Sequence, residues 1–296
     1  MHVSEELRIM PRRNKAESIT VDEVVKRLDY LHMNEMANRL KELDESGELV
    51  SCTPLDIVND LATSQEIATS NNIVARYKKQ AKFYYPFADL ADVIPKAERH
   101  INIPLVERLE SGEYIKNGRN ILIISETGGG KTFFGCAFGN RACEQQYKVR
   151  YFNMIDFLDE CRAAQDKGKY VKFLRKTANM NLIILDDFML TSIDQKDAEY
   201  LYRLFNSQPR KSTERSFIIC SQLKKEGMYE KLSLVSPALA DAIMNRVVSR
   251  AYELTIEGPS MREIDIPEEM NFPGASLKRP LDACPEGTAF RPGYLF

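Results

Sequence analysis

The run Ile121-Leu122-Ile123-Ile124-Ser125-Glu126-Thr127-Gly128-Gly129-Gly130-Lys131-Thr132 constrains this chain more than any other stretch. Four aliphatic residues predict a buried strand, three consecutive glycines a loop, and the segment from Phe133 onward is compatible with a helix. That order suits a phosphate. Glycines let backbone N–H groups turn inward around phosphate oxygens without Cβ obstruction, and the helix N-terminus adds unpaired donors of its own. The candidate nucleotide-binding loop comprises Ser125, Glu126, Thr127, Gly128, Gly129, Gly130, Lys131, Thr132 and Phe133. Lys131 would reach the β- and γ-phosphates, and Thr132 would place its hydroxyl on a Mg²⁺ ion bridging the same oxygens. The loop departs from the usual G-x-x-x-x-G-K-[ST] at its first position, where Ser125 stands for glycine. A glycine-rich βα turn with an incidental lysine would share the G-K-T core, but the strand before it and the helix after it count against that reading.

A second apolar run, Leu182-Ile183-Ile184-Leu185, ends in Asp186-Asp187. Buried strands often end in a solvated or capping aspartate, so the pair gains meaning from the loop that precedes it. Asp186 fits the role of holding the Mg²⁺ ion, and Asp187, one residue further on, could polarise an attacking water. Between loop and acids the chain inserts a further predicted strand, Val149 to Phe152. P-loop proteins that place a strand between the loop strand and the acid strand are mostly ATP hydrolases, whereas small-molecule kinases usually pair the two directly; this is an analogy of fold.

These runs belong to a longer alternation. Ile121–Ile124, Val149–Phe152, Leu182–Leu185, Phe217–Cys220 and Tyr252–Ile256 are separated by amphipathic stretches, which predicts an α/β domain over 101–265 with a parallel sheet covered on both faces. Residues 1–100 read instead as a small all-helical domain and linker, with Val24, Val25, Leu28, Leu31 and Met36 recurring at near-helical spacing between Val21 and Leu40. From 266 to 296, prolines and glycines with little periodicity predict an extended or disordered tail. With 296 residues and 44% hydrophobic content the chain can fill a sizeable core in about two domains.

Charge and cysteine usage narrow the partners. Lys+Arg 41 against Asp+Glu 43 leaves a net charge of −2, so any nucleic-acid contact must come from a local patch. Six cysteines without a C-x-x-C pair, and three histidines remote from them, indicate neither a zinc site nor a disulfide framework. The charged N-terminus and the lack of an apolar run of about 18–20 residues predict a soluble cytoplasmic protein without a membrane segment.

Further polar residues stand where a nucleotide would meet them. Phe217–Cys220 runs into Ser221 and Gln222, which should emerge at the carboxyl end of the sheet, and either could orient water near a γ-phosphate. Arg246 and Arg262 follow in helical or turn contexts; a permanently charged planar guanidinium suits a γ-phosphate, and surface salt bridging is the ordinary alternative.

Taken together these segments resemble the IstB-like AAA+ ATPases, the transposition helper proteins of insertion sequences, which are related to DnaC-type helicase loaders. The resemblance is carried by Thr127–Thr132, Ile184-Leu185-Asp186-Asp187-Phe188, Ser221-Gln222, Leu239-Ala240-Asp241-Ala242 with Asn245-Arg246, and Gly258-Pro259-Ser260-Met261-Arg262. It implies a P-loop AAA+ core with a five-stranded parallel sheet, ATP and Mg²⁺ as ligands, and hydrolysis that is slow or stimulated by a partner. Ser221-Gln222 is similar to the sensor-1 strand end, Arg246 to a finger acting in trans on a neighbouring subunit's ATP, and Arg262 to a sensor-2 arginine acting in cis. Asn245, Pro259 and Met189 depart from the family's frequent Asp, Glu and Gly without removing a charge assigned to phosphate.

The resemblance extends to Ala75–Phe83, similar to the family's basic helix before the ATPase core. Arg76, Lys79 and Phe83 would share a face there, with Lys78 and Lys82 beside it. Lys167, Lys169, Lys172, Arg175 and Lys176 form a second basic stretch and the other candidate for DNA contact. A solvated helix face is the ordinary alternative for such stripes. The expected partners are duplex DNA, a cognate transposase and further copies of the chain with ATP at their interfaces. A replicative helicase loader would share the same core, and a small-molecule phosphotransferase is the reading from a different class.

Overall fold

The computed structural model describes residues 19–92, 100–207 and 215–258. The chain divides into two compact units, Met1–Ile73 and Val74–Phe296. In the first, α1 (Val21–Tyr30) and α2 (Asn34–Glu45) pack with the leading part of α3 (Pro54–Ala81) around Val25, Ala37, Leu40, Leu43 and Leu61. Thr20 caps α1 by accepting the Glu23 N–H at 3.3 Å, and Arg39 ties α2 to α3 through Asp60 at 2.9 Å. The helical periodicity of Val21–Leu40 covers two helices rather than one. His32 takes a left-handed φ of 58° and ends α1, leaving Leu31, expected on the apolar face, 58% exposed.

The second unit is built on a five-stranded sheet. Its elements after α3 are α4 (Ile103–Glu110), α5 (Glu113–Lys116), β1 (Asn120–Ser125), α6 (Lys131–Glu144), β2 (Val149–Asn153), α7 (Met154–Asp166) and α8 (Tyr170–Ala178). They continue with β3 (Leu182–Asp186), α9 (Gln195–Asn206), β4 (Ser216–Ser221), α10 (Lys225–Ser233), α11 (Pro237–Val248) and β5 (Ala251–Ile256). The strands lie in the order β2-β3-β4-β1-β5, all parallel, with Ile123 opposite both Cys220 and Leu254.

Aliphatic runs without polar alternation are what a sheet buried on both faces requires, and β1, β3 and β4 are buried along their whole length. Successive side chains serve two separate cores. Ile121, Ile123, Ile184 and Cys220 pack on one face with α6, while Leu122, Ile124, Ile183 and Ile219 pack on the other with α9, α10 and α11. Among the described residues no helix is long and apolar enough to cross a membrane.

Chain order misplaces one strand. The strand that separates β1 from β3 in space is β4; β2, which intervenes in sequence, sits beyond β3 at the sheet's edge. The separation on which the ATP-hydrolase analogy depends is therefore present, but a different strand supplies it.

Candidate functional site

In a parallel sheet the loops leaving the carboxyl ends of the strands form one rim. Here that rim brings together the loop after β1, the acids ending β3, the end of β2 and the end of β4. The glycine loop leaves β1 at Ser125 and enters α6 directly at Lys131, with Gly128 at φ 82° and Gly130 at φ 92°. Both angles lie in the left-handed region, which glycine occupies without a Cβ penalty. Glu126 and Thr127 are exposed, Gly128, Gly130, Thr132 and Phe133 half-buried, and Ser125, Gly129 and Lys131 buried.

Lys131 and the two acids meet across this loop. The Lys131 ammonium lies 3.9 Å from Asp187 Oδ1, and the Asn153 amide at the end of β2 donates to Asp187 Oδ2 at 3.1 Å. Asp187 holds a left-handed φ of 52°, unusual for a residue with a Cβ. Asp186 is only 2% exposed. Its Oδ2 accepts from the Tyr151 hydroxyl at 2.9 Å, whereas Oδ1 is buried without a hydrogen-bond partner among the described residues. Burial pushes the Asp186 carboxyl above the ordinary aspartate range, and the neighbouring Thr132 and Tyr151 hydroxyls pull it partly back. A buried carboxylate oxygen without a partner, beside the Thr132 hydroxyl, is a hard-oxygen donor set that fits Mg²⁺.

The turn after Asp187 is tied down on several sides. Phe188 N–H donates to Cys220 O at 2.9 Å, and the Ser221 hydroxyl donates to Phe188 O at 2.7 Å while accepting the Leu223 N–H at 3.1 Å. Lys231 on α10 donates to Met189 O and Leu190 O at 3.0 and 2.9 Å. The fully buried Ser221 hydroxyl thus holds the acid turn, leaving Gln222, half-buried, as the polar side chain that follows β4 at the rim.

The remaining candidates lie away from this cluster. Arg246, exposed on α11, donates to Ala242 O of its own helix at 2.8 Å and sits 5.7 Å over the Tyr202 ring. Arg262 and the 266–296 segment lie outside the described residues. Arg76 and Lys79 are exposed on α3, but Phe83 does not share their face. The helix stops at Ala81, Lys82 turns left-handed at φ 56°, and Phe83 drops into the core. Lys78 is committed to Glu144 at 2.8 Å. Lys167, Lys169, Lys172, Arg175 and Lys176 are all exposed around the start and outer side of α8, and among the described residues none of them forms an ion pair.

Three contributors escaped the sequence. Asn153 ends the strand read as Val149–Phe152, so the rule that polar residues gather at carboxyl ends could have found it. Tyr151 and Lys231 carry no local signal, because their partners are set by strand order and helix packing.

A phosphate loop after β1, a carboxylate pair after β3 and β4 between those strands are the arrangement of a P-loop nucleotide-binding fold. The chain belongs to the IstB-like ATP binding protein family, whose pattern matches residues 26–265. It is 31% identical over 248 residues to a Sinorhizobium fredii protein named as an insertion sequence ATP-binding protein, y4uH, covering 83% of this chain and 96% of that one. It is 30% identical over 199 residues to a Pseudomonas fluorescens protein named as an ATP-binding protein of insertion sequence IS1162, covering 66% of this chain and 85% of that one. Among solved structures, AMPPCP-bound DnaA from Aquifex aeolicus aligns at 24% identity with a TM-score of 0.47. That alignment covers 58% of this chain and about half, 51%, of DnaA.

Proposed function

We propose that this protein is an ATP-hydrolysing assembly protein of an insertion sequence: ATP joins its subunits, the oligomer grips duplex DNA, and the complex selects a target and recruits the transposase. The observation that carries the ATP half is the convergence of Lys131, Thr132, Asp186 and Asp187 on one rim of the sheet. The names of the relatives support the insertion-sequence half.

The residues divide the work by their chemistry. Backbone N–H groups of the loop from Ser125 to Phe133 surround the phosphates, and the Lys131 ammonium sits against the β- and γ-phosphate oxygens. Thr132 and Asp186 would hold Mg²⁺, which would offset phosphate charge when bound. Asp187, oriented by Asn153, polarises the attacking water, and Gln222 orients it. Arg246 faces the ATP of the neighbouring subunit, so hydrolysis depends on assembly, and Arg262 acts on the subunit's own ATP.

DNA is gripped through its phosphates by Arg76, Lys78, Lys79 and Lys82 at the end of the helical region and by the exposed stretch from Lys167 to Lys176. Such contacts position the protein without reading bases, so sequence preference is weak. Lys78 must leave Glu144 to take part. The test is ATP turnover by the purified protein with and without random-sequence duplex. Turnover that duplex stimulates supports the proposal, and turnover absent under both conditions contradicts it.

A further inference from the structure

Ser125 is the chain's clearest departure from the phosphate-loop pattern, and the structure shows what accompanies it. β1 delivers Ser125 to the base of the loop, 5% exposed, with its hydroxyl fully buried and without a hydrogen-bond partner among the described residues. Directly over it lies Gly129, a position at which the pattern admits any residue. A Cβ at Gly129 would stand 1.7 Å from Ser125 Oγ, 3.0 Å from Ser125 Cβ and 3.3 Å from the Glu126 carbonyl oxygen. Rotating the serine could carry Oγ away, but its Cβ would remain too close. Gly128 and Gly130 have left-handed φ values and Gly129 does not, so glycine at 129 answers a demand for space rather than for backbone conformation.

We infer that Ser125 and Gly129 are a compensating pair, in which the serine replacing the first loop glycine occupies the space of a side chain at 129, and the loop keeps its phosphate-accepting shape because that side chain is missing. The Gly129 N–H donates to Glu126 O at 3.2 Å, closing the turn two residues before Lys131 begins α6. Pushing Gly129 outward would open that turn and displace the following N–H groups and the lysine. Both are therefore positioning residues for the nucleotide, an inference that rests on the nucleotide-loop reading.

A double-mutant cycle of wild type, Ser125→Gly, Gly129→Ala and the double variant tests the pair. Two readouts are taken: the melting midpoint without nucleotide, and the Kd for a fluorescent ATP analogue. Gly129→Ala is expected to melt several degrees lower and to bind about tenfold more weakly. Ser125→Gly alone loses up to about threefold in affinity, because a fourth glycine loosens the loop. The double variant should match Ser125→Gly on both readouts, since removing the serine side chain makes room for the new methyl group. A double variant no better than Gly129→Ala, or a Gly129→Ala protein indistinguishable from wild type, overturns the pairing. If wild type fails to bind the analogue, the nucleotide reading falls, and the melting cycle alone decides the pair.

Discussion

Asn153 and Lys131 each approach a different oxygen of Asp187, Asn153 Nδ2 at 3.1 Å from Oδ2 and Lys131 Nζ at 3.9 Å from Oδ1. The lysine and the amide thus both lie within reach of the carboxylate proposed to act on water. Asn153→Ala should leave ATP affinity within about twofold and lower turnover about fivefold or more, because Asp187 loses the group that orients it. The same change removes the cap that accepts the Ile155 N–H at 3.0 Å, at a cost of about 1 kcal/mol in stability. Steady-state kinetics beside thermal melting separate the two effects; unchanged turnover would remove Asn153 from the mechanism.

Asp186 illustrates a cost of keeping a carboxylate buried. Because burial raises its pKa, the folded chain holds the proton more tightly than the unfolded chain does. Its contribution to stability therefore falls as pH rises from about 4 through the raised folded value, and stays low above it. Asp186→Asn should melt higher than wild type at pH 7–8, by about 2–4 °C for each kcal/mol relieved. The gap should narrow as pH falls toward 4. The same variant should lose the Mg²⁺ dependence of nucleotide binding. Melting curves across pH, without nucleotide, check the sign.

Arg246 folds back onto Ala242 O and Tyr202 within its own chain, a position it must leave to reach a neighbour. Arg246→Ala should fold and bind ATP like wild type while turnover falls about 10³-fold or more. Mixed with Asp187→Asn subunits, it should regain part of the activity. In such an assembly some interfaces pair an intact acid site with an intact arginine. Absence of any recovery on mixing would place the arginine's action in cis or outside catalysis.

The α8 stretch is exposed and free of ion pairs among the described residues, whereas Lys78 is tied to Glu144. Replacing Lys172 and Lys176 together by alanine should weaken duplex binding at every sequence alike. It should also reduce the slope of log K against log salt by about 0.9 for each phosphate that is no longer neutralised. A preserved slope would place the DNA-gripping surface elsewhere. Salt titrations on two unrelated duplexes measure both quantities.

The chain's local patterns carried a great deal of this architecture. All five strands lie within a residue of the expected runs; for β1, β3 and β4 this is because a doubly covered sheet imposes continuous apolar strands that are visible without any knowledge of pairing, whereas the edge strands β2 and β5 carry Arg150 and Glu253 within them. Pairing itself is not local. Chain order suggested that Val149–Phe152 separated the loop strand from the acid strand, and only the sheet shows β4 in that place. The same limit hid Tyr151 and Lys231, whose partners Asp186, Met189 and Leu190 come from other elements. Breaks set by single left-handed residues were equally silent. His32 divides one apolar pattern between two helices, and Lys82 ends α3 before Phe83 can join the face of Arg76 and Lys79.

If ATP drives assembly of this protein on duplex DNA through the DNA phosphates, sedimentation will show it. The purified chain is run with a labelled random-sequence duplex, with ATP, with ADP and without nucleotide, at low and raised salt. A large complex that forms with ATP alone and disperses as salt rises is the expected result. A protein that stays monomeric and ignores duplex in all three nucleotide states would contradict the proposed function.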